Sequence, residues 1–451
     1  MDVFGSSGVR GVVNEGMTPD FVMQIAQAAG TVWDTSRVAI AHDTRTSGSM
    51  LTDAATSGLA SIGIDVDRLG TVPTPAAQQY AEDQGIPVVI VTASHNPPQF
   101  NGIKLIGSDG IGLPINQLEQ IEQVLIEEAF DTVSWKHIGQ CRTVNSITDK
   151  YIHAVCNSVN AERIAAADLT VALDPGHGAG CLTSPNLLRA LDCNVITVNA
   201  HPDGRFPGRE PEPVPAHLSD LCRLVKQTDA DIGIAHDGDA DRAVFVDETG
   251  SPIDGSTSLA ALAAAELSSD DTIVSAVNVS QRVVDAVSDV GASLELTPIG
   301  ATHLVQRIRE LRSSGVSVPI AGEGNGGVMY PPYRTARDGA YTAARFLELI
   351  TETPASEIAE RYSGYATVRR NLTYSDDSDR EQMLQRAKEW ARAQDGDLDM
   401  KDGHRVDFGD SWVLVRPSGT EPLIRAYAEA QTEQRANQLL DSVTAVMQAD
   451  A

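Results

Sequence analysis

The stretch GIPVVIVTASHNPP, Gly85 to Pro98, runs an unbroken apolar segment straight into a polar loop. An apolar run of that length without alternation reads as a buried strand. Pro97 and Pro98 end any regular pairing, so TASHNPP is a loop at the strand's carboxyl end. In open α/β sheets that is where ligands gather. Ser94 can therefore be a nucleophile, a phosphate carrier or a plain turn residue. The surroundings lack the G-x-S-x-G pattern of a hydrolase elbow. His95 is a sequence neighbour, which is no sign of a base–nucleophile pair, and an unassisted serine is a poor nucleophile near neutral pH. A phosphoserine carries about −1.5 to −2 charge and can pass its phosphoryl group on if a cation holds it.

Outward from this loop, strand-like runs alternate with helix-length segments. RVAIAHD, GIDVDRLG and IPVVIVTA are separated by MLTDAATSGLASI and PAAQQYAEDQ. The alternation recurs with LTVALDPG, CNVITVNA and DIGIAHDGD, and a third time with DTIVSAVN, ASLELTPIG and VSVPIAGEG. Three successive blocks predict open, doubly wound α/β sheets. The last stretch mixes the short strands YATVRRNLTY, HRVDFGD, SWVLVRPSG and IRAYAEA with two helices, which predicts a smaller α+β domain. Boundaries are expected at 1–150, 151–253, 254–365 and 366–451. The Pro/Gly-rich His201–Pro215 segment is read as a long loop, because alternation resumes on both sides.

Three further polar clusters follow strands. In ADIGIAHDGDADRAVFVDE, Asp237, Asp239 and Asp241 repel one another unless a hard divalent cation offsets them. Their two-residue spacing predicts that all three point the same way from an extended segment. An EF-hand loop is disfavoured, since Arg242 holds its glycine position and AVFV reads as a strand. In AGEGNGG the literal G-x-G-x-x-G is not followed by a helix, so a dinucleotide site is rejected. Glu323 and Asn325 suit a polyhydroxylated ligand or a simple turn. In VLVRPSGTEPLIR, Arg416, Ser418, Gly419, Thr420 and nearby Arg425 compose a nest for a phosphate, or a capped turn.

FGSSGVRG, HDTRTSG, TASHNPPQFNGIK, DGDADR, GEGNGG and RPSGTEPLIR occur in the order found in the α-D-phosphohexomutase superfamily, which the chain resembles over essentially its whole length. WKHIG, NVITVNAHPDGRFPGREPEP and GEGNGGVMYPPYRTARDG further resemble its archaeal phosphoglucosamine mutase branch. The resemblance implies three Rossmann-like α/β domains and a C-terminal domain like the TATA-binding-protein fold, around a central cleft. It implies an isomerase that moves phosphate between the 6- and 1-positions of a hexose or hexosamine phosphate through a sugar 1,6-bisphosphate. Glucosamine phosphate is the expected substrate, with neutral hexose phosphates as the alternative. Ser94 would be the phosphoserine, and one Mg²⁺ would bind Asp237, Asp239, Asp241 and a phosphoserine oxygen. A hexose 1,6-bisphosphate would serve as activator. Glu323 and Asn325 would read sugar hydroxyls, and Arg416, Ser418, Gly419, Thr420 and Arg425 would grip the non-reacting phosphate. Arg10, His95 and Lys104 become candidates for general acid/base help, with Arg242 in support. Two departures stand out. Asn325 and Gly327 replace the Ser and His of many bacterial sugar loops, and His42 stands where an arginine commonly supports the serine loop.

Composition bounds the rest. Sixty-two acidic residues oppose 34 basic ones, a net charge of −28 that repels nucleic acid and anionic membranes. Only six of the basic residues are lysines, Lys104 among them, which suggests adaptation to high salt. No apolar run nears the roughly 20 residues a membrane helix needs, and MDVFGSSGVRG lacks a signal-peptide pattern. Five cysteines without C-x-x-C spacing argue against a disulfide framework or a zinc site. A cytoplasmic protein is expected.

Overall fold

A computed structural model describes residues 3–5, 8–418 and 423–448. The chain divides into two compact units, Met1–Ser258 with Asn325–Glu360, and Leu259–Gly324 with Arg361–Ala451.

In the first unit, the Gly85–Pro98 region forms the strand Val88–Val91, all four residues buried. It lies inside a six-stranded sheet ordered Val9–Val12, Phe100–Ile106, Val88–Val91, Arg37–His42, Asp65–Thr71, Cys141–Thr143. Val89 and Val91 join Val38 and Ile40 in a core completed by Val22 and Ile25 of helix Pro19–Val32, Leu51 and Leu59 of Gly48–Ser61, and Ile121 of Ile115–Glu127. Val88 and Ile90 point the opposite way and are equally buried. This two-sided burial explains the unbroken apolar run. The sheet is mixed: Arg37–His42 pairs parallel with both Asp65–Thr71 and Val88–Val91, whereas Phe100–Ile106 runs antiparallel to Val88–Val91 and to Val9–Val12. These two antiparallel strands carry Arg10 and Lys104. Arg10 lies opposite Gly102, two residues from Lys104, which puts both side chains on one face.

A second sheet in this unit is ordered Pro252–Ile253, Ala243–Asp247, Ile232–His236, Thr170–Asp174, Asn194–Thr197. Ile232–His236 is fully buried and pairs antiparallel with Ala243–Asp247 through His236 opposite Ala243. Residues 237–242 are therefore the loop of a hairpin. The unit also holds the hairpin Val328–Tyr330 and Arg334–Arg337, followed by helix Gly339–Ile350, whose Phe346 stacks on Phe245 with ring centroids 4.0 Å apart.

In the second unit, Thr272–Ala276 pairs parallel with Ser293–Thr297 and with Ala321–Gly322. The strand expected over VSVPIAGEG is confined to those last two residues, since Pro319 has no N–H to donate. The C-terminal part is an antiparallel sheet ordered Ala366–Thr373, Leu423–Ala430, Ser411–Pro417, His404–Asp407, Asp397–Asp399. Ala426, Ala428, Val413 and Val415 pack with Leu440 and Val443 of helix Glu433–Met447 and Ala387 of Asp377–Arg392. This is the α+β arrangement expected. Among the described residues no helix is long and apolar enough to cross a membrane.

Candidate active site

Where Val88–Val91 ends, the chain turns sharply: Ser94 has φ +50°, a left-handed conformation that costs a non-glycine residue about 1 kcal/mol. The turn is held by a buried network. Ser94 N donates to Thr92 Oγ1 at 2.9 Å, and Thr92 Oγ1 donates to Asp43 Oδ2 at 2.6 Å. Arg45, its side chain wholly buried, pairs through Nε with Asp43 Oδ2 at 3.1 Å. Its terminal nitrogens donate to the carbonyls of Ser94, Asn96, Pro97 and Phe100 at 2.9, 2.6, 2.8 and 2.8 Å. Burial raises the Asp43 pKa, with Arg45 and Thr92 opposing. Support for the serine loop thus comes from Arg45, and His42 is not needed for it: His42 Nδ1 lies 2.6 Å from its neighbour's carbonyl oxygen.

The three aspartates converge on this serine. Ser94 Oγ donates to Asp237 Oδ2 at 2.7 Å, and oxygens of Asp237, Asp239 and Asp241 all lie within 4.8 Å of one another. The extended alternation expected for residues 237–241 is not what brings them together. The segment is a turn with Ala240 at φ +55°, and the hairpin's closure gathers the carboxylates. A Cβ on Gly238 would stand 2.6 Å from Ser94 O, so only glycine lets the two loops approach this closely.

All three aspartates are buried, and cations surround them. Lys104 Nζ bridges Asp239 Oδ2 at 2.6 Å and Asp241 Oδ2 at 2.9 Å. Arg337 reaches Asp241 Oδ2 at 3.0 Å, Thr74 Oγ1 donates to Asp239 Oδ2 at 2.6 Å, and Arg242 Nε lies 3.8 Å from Asp237. Burial works against the Lys104 ammonium, but Asp239 and Asp241 outweigh it and raise its pKa. Burial also penalises ionised Asp241, yet Arg337 and Lys104 hold its pKa well below the usual range. Asp237 has weaker cationic company. Burial and its two acidic neighbours push it up to about 7.

Two buried oxygens, Asp239 Oδ1 and Asp241 Oδ1, have no hydrogen-bond partner. Unsatisfied anionic oxygens beside Asp237 and a serine hydroxyl suit a hard divalent cation of the size and chemistry of Mg²⁺.

His95 sits on the same side. Its Nδ1 lies 3.0 Å from Arg242 NH2 and 3.4 Å from Ser94 Oγ. Burial, then Arg242 and Arg10, drive its pKa down to about 2, so the imidazole is neutral. Arg10 NH1 donates to Asn96 Oδ1 at 2.6 Å. Burial lowers the Arg10 pKa, with Asp239 opposing.

Asn325 Oδ1 accepts from Gly327 N at 3.0 Å, and Gly326 O accepts from Ala243 N, the first residue after the aspartate loop. Glu323 Oε1, in the second unit, accepts from Gly300 N at 2.9 Å ahead of helix Ala301–Ser313. Also in that unit, Arg416 and Arg425 stand opposite each other on paired strands, an arrangement that repels unless an anion intervenes. Arg416 Nε pairs with Asp402 at 3.1 Å, and Ser418 N donates to Leu423 O at 2.8 Å. Gly419 and Thr420 lie outside the described residues.

Arg45, Asp43, Thr92, Thr74 and Arg337 were not singled out by sequence reasoning. HDTR carried the signal for the first two, as charged residues directly following a strand.

Four family models match along the chain. They are the phosphoglucomutase/phosphomannomutase alpha/beta/alpha domains I, II and III over residues 1–132, 149–250 and 254–365, and the C-terminal domain over 372–446. A Thermococcus kodakarensis protein named "Phosphoglucomutase/phosphomannomutase" is 39% identical, with 97% of each chain covered. A Methanopyrus kandleri protein named "Probable phosphoglucosamine mutase" is 38% identical, over 97% of this chain and 96% of that one. The crystal structure of a phosphoglucomutase/phosphomannomutase family protein from Burkholderia thailandensis superposes with a TM-score of 0.86 at 26% identity, covering 100% of this chain and 98% of that one.

Proposed function

Because the chain belongs to the phosphoglucomutase/phosphomannomutase family, the α-D-phosphohexomutases, which isomerise sugar phosphates, we propose that it interconverts D-glucosamine 6-phosphate and D-glucosamine 1-phosphate. The observation that carries the chemistry is the 2.7 Å contact of the buried Ser94 hydroxyl with Asp237, beside two buried carboxylate oxygens that accept no hydrogen bond. On this reading Ser94 carries the phosphoryl group. A sugar hydroxyl attacks phosphorus, the bond to Ser94 Oγ breaks, and the proton lost by the sugar hydroxyl is balanced by the proton that Ser94 Oγ takes up as it leaves. The sugar 1,6-bisphosphate so formed turns around and returns its other phosphoryl group to Ser94, and added hexose 1,6-bisphosphate primes the serine. Such transfer needs positioning and charge neutralisation more than covalent work by the protein.

Asp237, Asp239 and Asp241 would hold Mg²⁺, which when bound supplies Lewis-acid neutralisation of phosphoryl oxygens. Lys104, Arg242 and Arg10 add fixed positive charge around the reacting group. His95, neutral and engaged by Arg242 through Nδ1, serves to orient that guanidinium. Arg416, Ser418, Gly419, Thr420 and Arg425 grip the phosphate that is not transferred, and Glu323 and Asn325 read sugar hydroxyls.

The choice of glucosamine rests on the names of relatives such as the M. kandleri protein. The T. kodakarensis name supports a second reading, glucose and mannose phosphates. Turnover on the three 6-phosphates, with a trace of hexose bisphosphate as primer and Mg²⁺ present, separates them. Highest kcat/KM on glucosamine 6-phosphate is the expected result, and a preference for either neutral sugar selects the second reading.

A further inference from the structure

Arg45 is a fully coordinated buried side chain. A guanidinium has five N–H donors, and all five are used: one on Asp43 and four on the carbonyls of Ser94, Asn96, Pro97 and Phe100. Those four carbonyls outline the loop that carries the Ser94 hydroxyl. A point charge would suffice to neutralise buried Asp43, but only a planar fork reaches four oxygens spread over seven residues.

The guanidinium is also covered from outside. The Phe206 ring centroid lies 5.2 Å from Arg45 Cζ, and Thr44 Oγ1 donates to His177 O at 3.0 Å. Gly204 packs so tightly that a Cβ there would lie 2.2 Å from Thr44 O and 2.6 Å from Arg45 Cα. Gly204 and Phe206 belong to the long Pro/Gly-rich segment His201–Pro215, which is anchored by a second buried arginine. Arg209 pairs with Asp174 at 2.8 Å and donates to the carbonyl of His236 at 2.7 Å, the residue before Asp237. The same strap thus bears on the serine loop through Phe206 and on the aspartate loop through Arg209.

We infer that Arg45, backed by Phe206 of this strap, is a positioning residue that sets the Ser94 hydroxyl against Asp237. The inference rests on the proposal that Ser94 carries the phosphoryl group. Arg45 touches no reacting atom. It fixes a left-handed serine that the backbone alone would not favour, and a misplacement of about 1 Å at such a group costs on the order of 10²-fold in rate.

The test is Arg45→Lys, which keeps the charge beside Asp43 and loses the fork. With Mg²⁺ and bisphosphate primer, kcat is expected to fall about 10²-fold while KM for the sugar phosphate stays within about threefold. Amide hydrogen exchange is expected to quicken over residues 92–100, with protection of the Pro19–Val32 helix retained. Phe206→Leu removes the ring that backs the guanidinium and alters none of the groups Arg45 bonds to, so the fork is free to shift, and kcat is expected to fall about tenfold, on the order set by a smaller displacement. Wild-type kcat in Arg45→Lys, or loss of protection throughout the unit with an unchanged rate per folded molecule, overturns the inference. Should Arg45→Lys fail to fold, Phe206→Leu decides alone, and wild-type turnover there overturns it equally. Ser94→Ala tests the underlying reading separately: full activity in that variant removes the carrier role, whereas an inactive Ser94→Ala with a fully active Arg45→Lys removes only the positioning role.

Discussion

Metal-free protein should reveal the strain of three carboxylates in one buried loop, and Asp237→Asn isolates it. Asp237 rises from an ordinary 3.8 to about 7 because it is buried next to Asp239 and Asp241. A carboxylate whose folded pKa is raised costs stability when ionised; the cost is full above the folded value, is relieved progressively as pH falls below it, and is gone only below the unfolded value. At about 1.4 kcal/mol per pH unit between the two values, the full cost above pH 8 is about 4 kcal/mol. Between pH 8 and pH 6 roughly 1.4 kcal/mol of it is recovered. His95 and His236, held neutral by burial with pKa values down to about 2 and about 4, work the other way, since their protonation on unfolding favours the unfolded chain at pH 6. Both are present in wild type and variant, so the difference between the two proteins cancels them. In EDTA, Asp237→Asn should therefore exceed wild type in unfolding free energy at pH 8, and its margin should shrink by about 1.4 kcal/mol at pH 6. Millimolar Mg²⁺ should stabilise wild type and leave the variant nearly unmoved. Urea titrations at both pH values, with and without Mg²⁺, provide the measurement. A margin that does not change with pH, or a variant less stable than wild type at pH 8 in EDTA, would refute the electrostatic account of the loop.

Ser94→Ala should lower turnover by about three orders of magnitude or more, because no other hydroxyl touches Asp237 among the described contacts, while the unfolding midpoint stays put; wild-type kcat defeats the carrier role. Arg416→Ala should raise KM for the sugar phosphate about tenfold or more with a smaller effect on kcat, since the loss is one charge-assisted grip on a group that does not react; an unchanged KM removes the clamp. With a net charge of −28 and six lysines, the unfolding temperature should climb as KCl is raised to molar levels; a fall over that range rules out adaptation to salt.

Much of the candidate site was legible because it lies in runs whose local chemistry is unusual. Polar loops after apolar strands picked out Ser94 and the three aspartates, which the fold brings together, without tertiary information. The acidic triad is the clearest instance, since like charges at such spacing are costly without a counter-charge. What local patterning could not supply was partnership. Lys104 sits in a segment read only as the tail of a motif, and its strand Phe100–Ile106 becomes visible once it pairs with Val9–Val12. The aspartates face one another through a turn, not through strand alternation, because the hairpin from His236 to Ala243 has to close within six residues. Arg45 was passed over although it stands in HDTR, since five donors acquire meaning only when four carbonyls from residues 94–100 arrive around them.

Sequence alone determined which groups are available and where strands must stop, because proline, glycine and clustered charge restrict the backbone within a few residues of themselves. Tertiary structure decided which of those groups meet, and in what state of charge. Ser94 and Asp237 are 143 positions apart and 2.7 Å from contact to contact. The charge on Asp237 follows from the burial and the neighbours acquired on folding, and electrostatic energies depend on distance and dielectric, neither of which a linear chain possesses before it folds.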